Sequence, residues 1–118
     1  MDYRKPDAKA YAKAHFTGVW AATHTVFDDT GRVDETGMRA NLRHWIETLR
    51  LSGLFVCGKQ GEFFSMSLDE RKRNFEVAAE LAHGRSRTVM SCSDTNLDTV
   101  LALGRHAQDV GEIGRAHV

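Results

Sequence analysis

Short apolar runs alternate with longer amphipathic segments along this chain. Three apolar runs end in polar loops and have the length of buried strands: Val19 to Thr23, Leu54 to Cys57 and Thr88 to Cys92. Each is followed by a segment whose apolar residues recur at three- and four-residue steps, which is typical of a helix with one buried face. Alternating strands and helices with short links predict a parallel sheet with right-handed crossovers.

Capping residues and apolar stripes define the three predicted helices. Asp34 is an expected N-cap of the first, and Ser67 with Glu70 forms a capping box at the start of the second. The third is predicted from about Asn96 to Val110. The residues expected to face inward are Met38, Leu42, Trp45 and Leu49, then Leu68, Phe75, Ala78 and Ala82, then Leu97, Val100, Leu101 and Ala107. The solvent face of the second helix is expected to carry the ion pairs Asp69–Arg73 and Lys72–Glu76.

The spacing of the strands predicts the fold class. They start near positions 19, 54 and 88, so the repeat is about 34 residues. Eight such units would total about 270 residues, close to the roughly 250 of a (β/α)8 barrel. Three units alone would leave a sheet edge and helix faces unburied. We therefore expect an α/β fold in which residues 16–111 form the N-terminal part, about three βα units, of a TIM barrel.

The two ends of the chain differ from this pattern. Residues 1–15 are expected to be an N-terminal extension with a short surface helix from Asp7 to Ala14, started by Pro6. Residues 112–118 match neither a strand nor a helix continuation, and they resemble the in-frame translation of a common sequencing adapter. We expect this stretch to be a non-native read-through tail.

Composition narrows the function classes. Basic and acidic side chains number 16 each, so net charge gives no electrostatic case for nucleic acid or anionic membrane as a partner. No run approaches the roughly 18 apolar residues of a membrane span. The charged first fifteen residues do not resemble a secretory signal, which favours a cytoplasmic location. Cys57 and Cys92 lack the spacing of zinc or redox motifs and are expected to be small core residues, with no metal or cofactor.

The loop Gly58-Lys59-Gln60-Gly61-Glu62 carries the candidate chemistry. It follows an apolar strand, and ligands of parallel α/β proteins bind at the carboxyl ends of strands. Lys59 could anchor a substrate anion, form an imine or simply be solvated. Gln60 could contact substrate or hold the loop, with Gly58 and Gly61 as loop support.

Neighbouring residues allow further alternatives. Glu62 is expected to hold backbone amides or a second subunit rather than act as a base. The Thr25 hydroxyl could join a carboxylate-binding network or cap its own turn. Strand alternation points His24 away from Thr25. Phe63-Phe64 could line an aromatic pocket or pack under the second helix, and we favour packing.

Four motifs occur in order along the chain, at residues 16–27, 30–34, 51–62 and 68–71. Together they resemble the dihydrodipicolinate synthase and N-acetylneuraminate lyase family of Schiff-base aldolases. Residues 16–27 are similar to the family's opening strand, which ends in Thr-Pro-Phe. Residues 30–34, Thr-Gly-Arg-Val-Asp, resemble its "dG.iD" turn. Residues 51–62 resemble "G..gl.v.GttGE", and residues 68–71 resemble "LseEr".

The resemblance implies a mechanism. A lysine on the sixth strand forms an imine with pyruvate or another 2-oxo acid, and a tyrosine on the fourth strand moves protons. The two residues after the loop glycine hold the substrate carboxylate. The imine stabilises the carbanion formed when a bond to carbon breaks or forms. Lysine and tyrosine are both expected beyond Gly111, so no catalytic residue is expected here and the chain alone should be inactive. A homotetrameric parent is also implied.

Lys59-Gln60 depart from this pattern, because the family usually has two small hydroxyl residues there. The substrate is therefore left open. One alternative is a hydratase-aldolase acting on a bulky or aromatic substrate. Another is a barrel that binds oxo acids without turnover, and a weaker one is a metal-dependent aldolase with His24, Cys57 and Cys92 at adjacent strand ends.

Overall fold

Four parallel strands form one sheet in this computed structural model, which describes residues 4–111 and, as backbone alone, 114–117. The strands are β1 (Trp20–Ala22), β2 (Gly53–Val56), β3 (Arg87–Ser91) and β4 (Gly114–His117), in the spatial order β1-β2-β3-β4. The register aligns Ala21 with Leu54 and Leu54 with Thr88. The three predicted strands are confirmed, and each begins within one residue of its expected start.

The fourth strand corrects the prediction that residues 112–118 match no strand. Gly114 lies opposite Thr88 and His117 opposite Ser91 in a parallel ladder. The ladder is made of backbone hydrogen bonds, so the free edge of β3 accepts an extended segment of almost any sequence. The open edges of the described sheet are therefore β1 and β4. Residues 1–3, 112–113 and 118, which complete the predicted extension and tail, lie outside the described residues.

The predicted helices and caps are confirmed. They are α1 (Ala8–His15), after a 3-10 turn at Lys5–Asp7, then α2 (Glu35–Arg43), α3 (Leu68–Ala82) and α4 (Leu97–Val110). Asp34 accepts a hydrogen bond from the Gly37 amide at the start of α2. Ser67 and Glu70 form the complete capping box of α3.

A π-helical turn at His44–Thr48 changes the inward face after α2. The Leu49 amide donates to the His44 carbonyl five residues back, at 3.0 Å. This wider turn rotates the following residues relative to an ideal helix. Ile46 is buried, whereas the exposed fraction of Leu49 is 53%, so the inward position predicted for Leu49 is wrong.

The inward face of α4 also differs from the prediction. Leu97 and Leu101 are exposed, whereas Leu103 and Ala107 are completely buried. Val100 packs against the core, so the stripe steps by three and then four residues. In α3, Phe75, Ala78 and Ala82 are buried as expected, but Leu68, in its first turn, is exposed.

The core lies between the sheet and the layer formed by α2, α3 and α4. Leu54, Val56 and Met90 of the strands pack against Phe75 and Leu103 of the helices. The opposite face of the sheet lines an open concavity of about 320 Å³ beside Phe16, Trp20 and Val89. Among the described residues, no helix is long and apolar enough to cross a membrane.

Ion pairs tie the helices together, although not the pairs that were predicted within α3. Arg73 pairs with Glu35 of α2 and with Glu76, both at 2.8 Å, in place of Asp69. Glu76 also lies 3.3 Å from His106 of α4, in place of a pair with Lys72. The Arg73–Glu35 and Glu76–His106 contacts join α3 to the helices packed beside it. Spacing within α3 alone does not reveal partners on a neighbouring helix.

Helix α1 lies at the amino end of the sheet. Arg87, the first residue of β3, donates to the Tyr11 hydroxyl at 3.2 Å, and its other terminal nitrogen lies 2.8 Å from Nδ1 of His15. Phe16 then packs edge-on against Trp20 with ring centroids 5.5 Å apart. The predicted surface helix therefore covers the end of the sheet opposite the candidate loop.

Candidate functional site

The loop after β2 is a compact turn at the carboxyl edge of the sheet. The Gly61 amide donates to the Gly58 carbonyl at 3.1 Å, and the Glu62 amide donates to the Lys59 carbonyl at 2.9 Å. Cys57 and Glu62, which bracket the turn, have φ values of 56° and 54°. Left-handed conformations at such residues cost energy and persist only where surrounding contacts hold them. The surrounding contacts therefore hold this turn in one defined conformation.

Residues after β1 hold the turn in place. The Thr25 hydroxyl donates to the Gly61 carbonyl at 2.6 Å. A Cβ atom on Gly61 would lie 2.9 Å from the Thr23 carbonyl oxygen, closer than real Cβ contacts come. Thr23 is itself fixed, because its amide and hydroxyl both donate to the Phe55 carbonyl. Gly61 thus permits the close approach of two loops, and the proton of Thr25 is used to support the loop rather than to cap its own turn.

The tip of the turn carries backbone amides that have no hydrogen-bond partner among the described residues. Lys59 and Gln60 are exposed, whereas Gly58 and Gly61 are buried. In the described part of the chain, the backbone amides of Lys59 and Gln60 donate to no protein acceptor, and the Lys59 ammonium makes no ion pair. Consecutive free amides beside a cation are suited to binding an anion.

A buried arginine lies behind this edge, and sequence reasoning missed its role. Arg71, near the start of α3, is only 2% exposed. Its guanidinium donates to the Asp94 carboxylate at 3.1 Å and to the carbonyls of Ser93 and Ser91 at 2.9 and 3.3 Å. The same group lies 4.9 Å from the Phe63 ring centroid. Arg71 appeared in the sequence only within the motif at residues 68–71, and no local pattern indicated partners twenty residues away.

The cysteines lie under the site and have no exposed chemistry. Cys57 is buried, and burial raises the pKa of its thiol to about 12, so the thiol stays protonated at neutral pH. Asn74 donates towards the sulfurs of Met66 and Cys57 at 3.2 and 3.9 Å. Cys92 is also buried, and neither cysteine forms a disulfide. Within the described residues, no group of three histidine, cysteine or acidic side chains could hold a metal.

The remaining candidates separate by exposure. His24 is exposed and Thr25 is half-buried. Both follow the end of β1, so the predicted alternation between them stays a prediction. Phe63 packs against the core as expected, but 69% of Phe64 is exposed, so packing under the helix is wrong for Phe64. Within residues 4–111, the Glu62 side chain caps no backbone amide, and a contact with a second subunit stays a prediction.

Comparison with known proteins explains why these residues occur together. The model of the dihydrodipicolinate synthetase family matches residues 15–118, almost the whole chain. The chain belongs to this family. The match includes the loop after β2 and the residues around Arg71, and it leaves most of α1 outside.

Individual relatives agree with this assignment. N-acetylneuraminate lyase of Clostridium perfringens is 35% identical over 94 residues, covering 80% of this chain and 33% of the relative. Among solved structures, CdNal of Clostridium difficile in complex with mannosamine superposes with a TM-score of 0.78 at 32% identity, covering 84% of this chain and 34% of that one. YagE, a prophage protein of Escherichia coli K12 in complex with pyruvate, gives 0.73 at 30% identity, covering 81% and 32%.

These likenesses confirm the predicted family resemblance and the predicted fold class. The parallel sheet with its outer helices corresponds to the first part of a TIM barrel, and the named relatives include lyases. The chain spans about a third of the length of the curated relatives it matches.

Proposed function

We propose that the full-length protein is a Schiff-base-forming lyase or aldolase that acts on pyruvate or another 2-oxo acid. Family membership supports the reaction class. The pyruvate complex of the related Escherichia coli protein supports the choice of a 2-oxo acid. The proposed parent is a homotetramer, as the resemblance implies, and we propose a cytoplasmic location for it.

The observation that carries this proposal is the pair of free amides at Lys59 and Gln60. A substrate carboxylate needs donors that are already positioned, and this turn is fixed by Thr25 and by its own hydrogen bonds. Backbone donors do not depend on side-chain type. The exchange of two small hydroxyl residues for Lys59 and Gln60 therefore leaves a carboxylate site in place. The ammonium of Lys59 adds a charge that strengthens it.

The 118-residue chain by itself lacks the proposed chemistry. In the resemblance, the tyrosine that moves protons belongs to a fourth strand and the imine-forming lysine to a sixth strand, both expected beyond Gly111. We therefore propose that the isolated polypeptide supplies part of the binding site and does not turn over substrate.

Borohydride trapping tests both statements. The full-length protein is incubated with pyruvate and reduced with borohydride, and its mass is then measured by mass spectrometry. The 118-residue chain is treated in parallel. The proposal expects one reduced pyruvate adduct on the full-length protein and none on the short chain. A folded full-length protein without an adduct would contradict the enzymatic proposal, and an adduct on Lys59 of the short chain would contradict the assignment of the lysine.

A second candidate follows from the departure at Lys59 and Gln60. A barrel kept for binding would take up a 2-oxo acid without forming an imine. Isothermal calorimetry showing binding by the full-length protein, together with no adduct after reduction, would favour this candidate.

The exposed Phe64 favours an aromatic or bulky aldehyde partner within the enzymatic proposal. Its ring lies 5.5 Å from that of Phe63 at the same loop and is available to a planar substrate group. Comparing turnover of aromatic and sugar-like partners before and after Phe64→Ala tests this. A selective loss of the aromatic substrate is expected, and an equal change for both would contradict it.

A further inference from the structure

Arg71 contacts both loops that border the candidate site. Its guanidinium faces the ring of Phe63, which follows the turn after β2. Its nitrogens donate to Ser91 at the end of β3, and to Ser93 and Asp94 in the turn that follows. One side chain from α3 therefore connects the carboxyl ends of two neighbouring strands.

The turn after β3 depends on this contact. Asp94 accepts from Arg71 and also from the Asn96 amide at 2.9 Å, so the same carboxylate shapes the turn before α4. The Ser91 hydroxyl lies 3.3 Å from that of Ser93. Ser93 is only half-buried and lies on the edge that carries the Lys59 turn. Movement of this turn would therefore change the space in front of the candidate site.

Burying a guanidinium is costly unless its partners are well placed. Arg71 meets this condition with three acceptors and an aromatic face, although its Nε has no hydrogen-bond partner. An apolar side chain of similar volume would fill this position without the desolvation cost of a buried charge. The planar guanidinium donates in fixed directions to two carbonyls and a carboxylate at once, so it holds them in one relative position. A lysine ammonium lacks this fixed geometry.

We propose that Arg71 is a positioning residue for the 2-oxo acid site. It fixes the turn at residues 92–94 against the loop at residues 58–63, and so sets the distance between these two turns at the edge where the carboxylate binds. The inference rests on the proposed function of that loop. Arg71 touches no substrate itself and acts through the two turns.

The test compares Arg71→Lys with Arg73→Lys in the full-length protein. Arg73 lies two positions further along the same helix, is half-exposed and pairs only with surface carboxylates. Steady-state kinetics with pyruvate and site-resolved hydrogen exchange are measured for both. We expect Arg71→Lys to raise KM for pyruvate about tenfold and to speed exchange at residues 91–96 and 58–63 together, because a small misplacement of a site is costly. Arg73→Lys should change KM by less than about twofold.

Asp94→Asn provides a second variant if Arg71→Lys does not fold. It keeps the carbonyl contacts of Arg71 and removes only the ion pair, so we expect a smaller rise in KM, about threefold, with faster exchange at residues 91–96. An unchanged KM and unchanged exchange in a folded variant would overturn the inference.

The outcomes also separate this inference from the proposed function. A wild-type protein that forms no pyruvate imine refutes the proposed chemistry. In that case, faster exchange of both turns in Arg71→Lys still supports the coupling, and exchange that changes in neither turn overturns it. A variant that exchanges faster at both turns but keeps the wild-type KM shows a purely structural arginine, which contradicts the proposal.

Discussion

An arginine lies at each end of the sheet, but the two arginines have different partners. At the carboxyl end, Arg71 is buried behind two turns, and the exposed tip carries Lys59 and Gln60 with free amides. At the amino end, Arg87 contacts Tyr11 and His15 of α1, and the helix covers the strands. Among the described residues, one end leaves polar groups without protein partners, and the other satisfies them within the chain.

This difference agrees with the division of labour in TIM barrels. Their chemistry lies at the carboxyl ends of the strands, and the opposite face contributes stability. Substitutions at the two ends should therefore separate in their effects. Those in the loop after β2 should alter binding, with or without a loss of stability, whereas those at the amino end should alter only the free energy of unfolding.

Gly61→Ala should have the largest effect and would sharpen the comparison most. The new Cβ would lie 2.9 Å from the Thr23 carbonyl oxygen. Because this oxygen belongs to the backbone, it cannot move aside as a flexible side chain would. We expect a loss of about 1–3 kcal/mol in unfolding free energy and a fall of at least about tenfold in imine formation. Gly104→Ala is the control, because its Cβ meets nothing within 4 Å in α4 and alanine favours helix by about 0.5–1 kcal/mol. Denaturant unfolding and borohydride trapping measure the two effects, and equal results for both variants would contradict a tightly built turn.

Arg87→Met should affect the amino end alone. The loss of its hydrogen bonds to α1 is expected to lower the unfolding free energy by about 1–2 kcal/mol without changing KM for pyruvate. Arg85→Met, which removes an exposed pair with Glu47, should cost less than about 0.5 kcal/mol. Thermal melting and kinetics of the full-length variants test this. A raised KM in Arg87→Met at unchanged stability would break the division between the two ends.

Lys59→Met should weaken binding without affecting the fold. Removal of the exposed ammonium is expected to raise KM for pyruvate by about threefold to tenfold and to reduce the dependence of KM on salt. Lys9→Met, an exposed lysine on α1 at the other end of the sheet, is the control and should leave KM unchanged. Kinetics at low and high ionic strength provide the measurement. An unaltered KM would show that the Lys59 ammonium is solvated and does not contact the substrate.

Acid should loosen the carboxyl end through Glu70, with the smallest effect of the four. The amides of Ser67 and Val33 hold the pKa of Glu70 below its ordinary value of 4.5. A carboxylate with a lowered pKa contributes stability above pH 4.5, and that contribution is lost as the pH falls through the folded-state pKa. Glu70→Gln should therefore cost about 0.5–1 kcal/mol at pH 7 and little at pH 3. Glu62→Gln is the exposed control, and melting curves of both variants against pH give the test.

Local signals predicted most of the fold. The strands followed from short apolar runs, and the caps at Asp34 and Ser67 followed from residue type and spacing. Leu49 was misplaced because a π turn is not visible in an ideal 3.6-residue pattern. Leu97 and Leu101 were misplaced because apolar residues occupy more of α4 than one face. The neighbours that decide between those faces are far away in sequence.

The site was predicted less completely than the fold. Sequence placed Lys59 and Gln60 on a loop at the carboxyl edge, which is where they lie. It left the Thr25 hydroxyl open between two roles and missed the contacts of Arg71. Both depend on partners more than twenty positions away or on a hydrogen bond that only the folded backbone defines.

Site-resolved hydrogen exchange of the full-length protein, with and without pyruvate, tests the central claim most directly. We predict that pyruvate slows exchange of the Lys59 and Gln60 amides, and leaves residues 11–15 and Arg87 at the amino end unchanged. Exchange at Lys59 and Gln60 that stays the same in a protein carrying a pyruvate imine would show that the loop after β2 does not hold the 2-oxo acid.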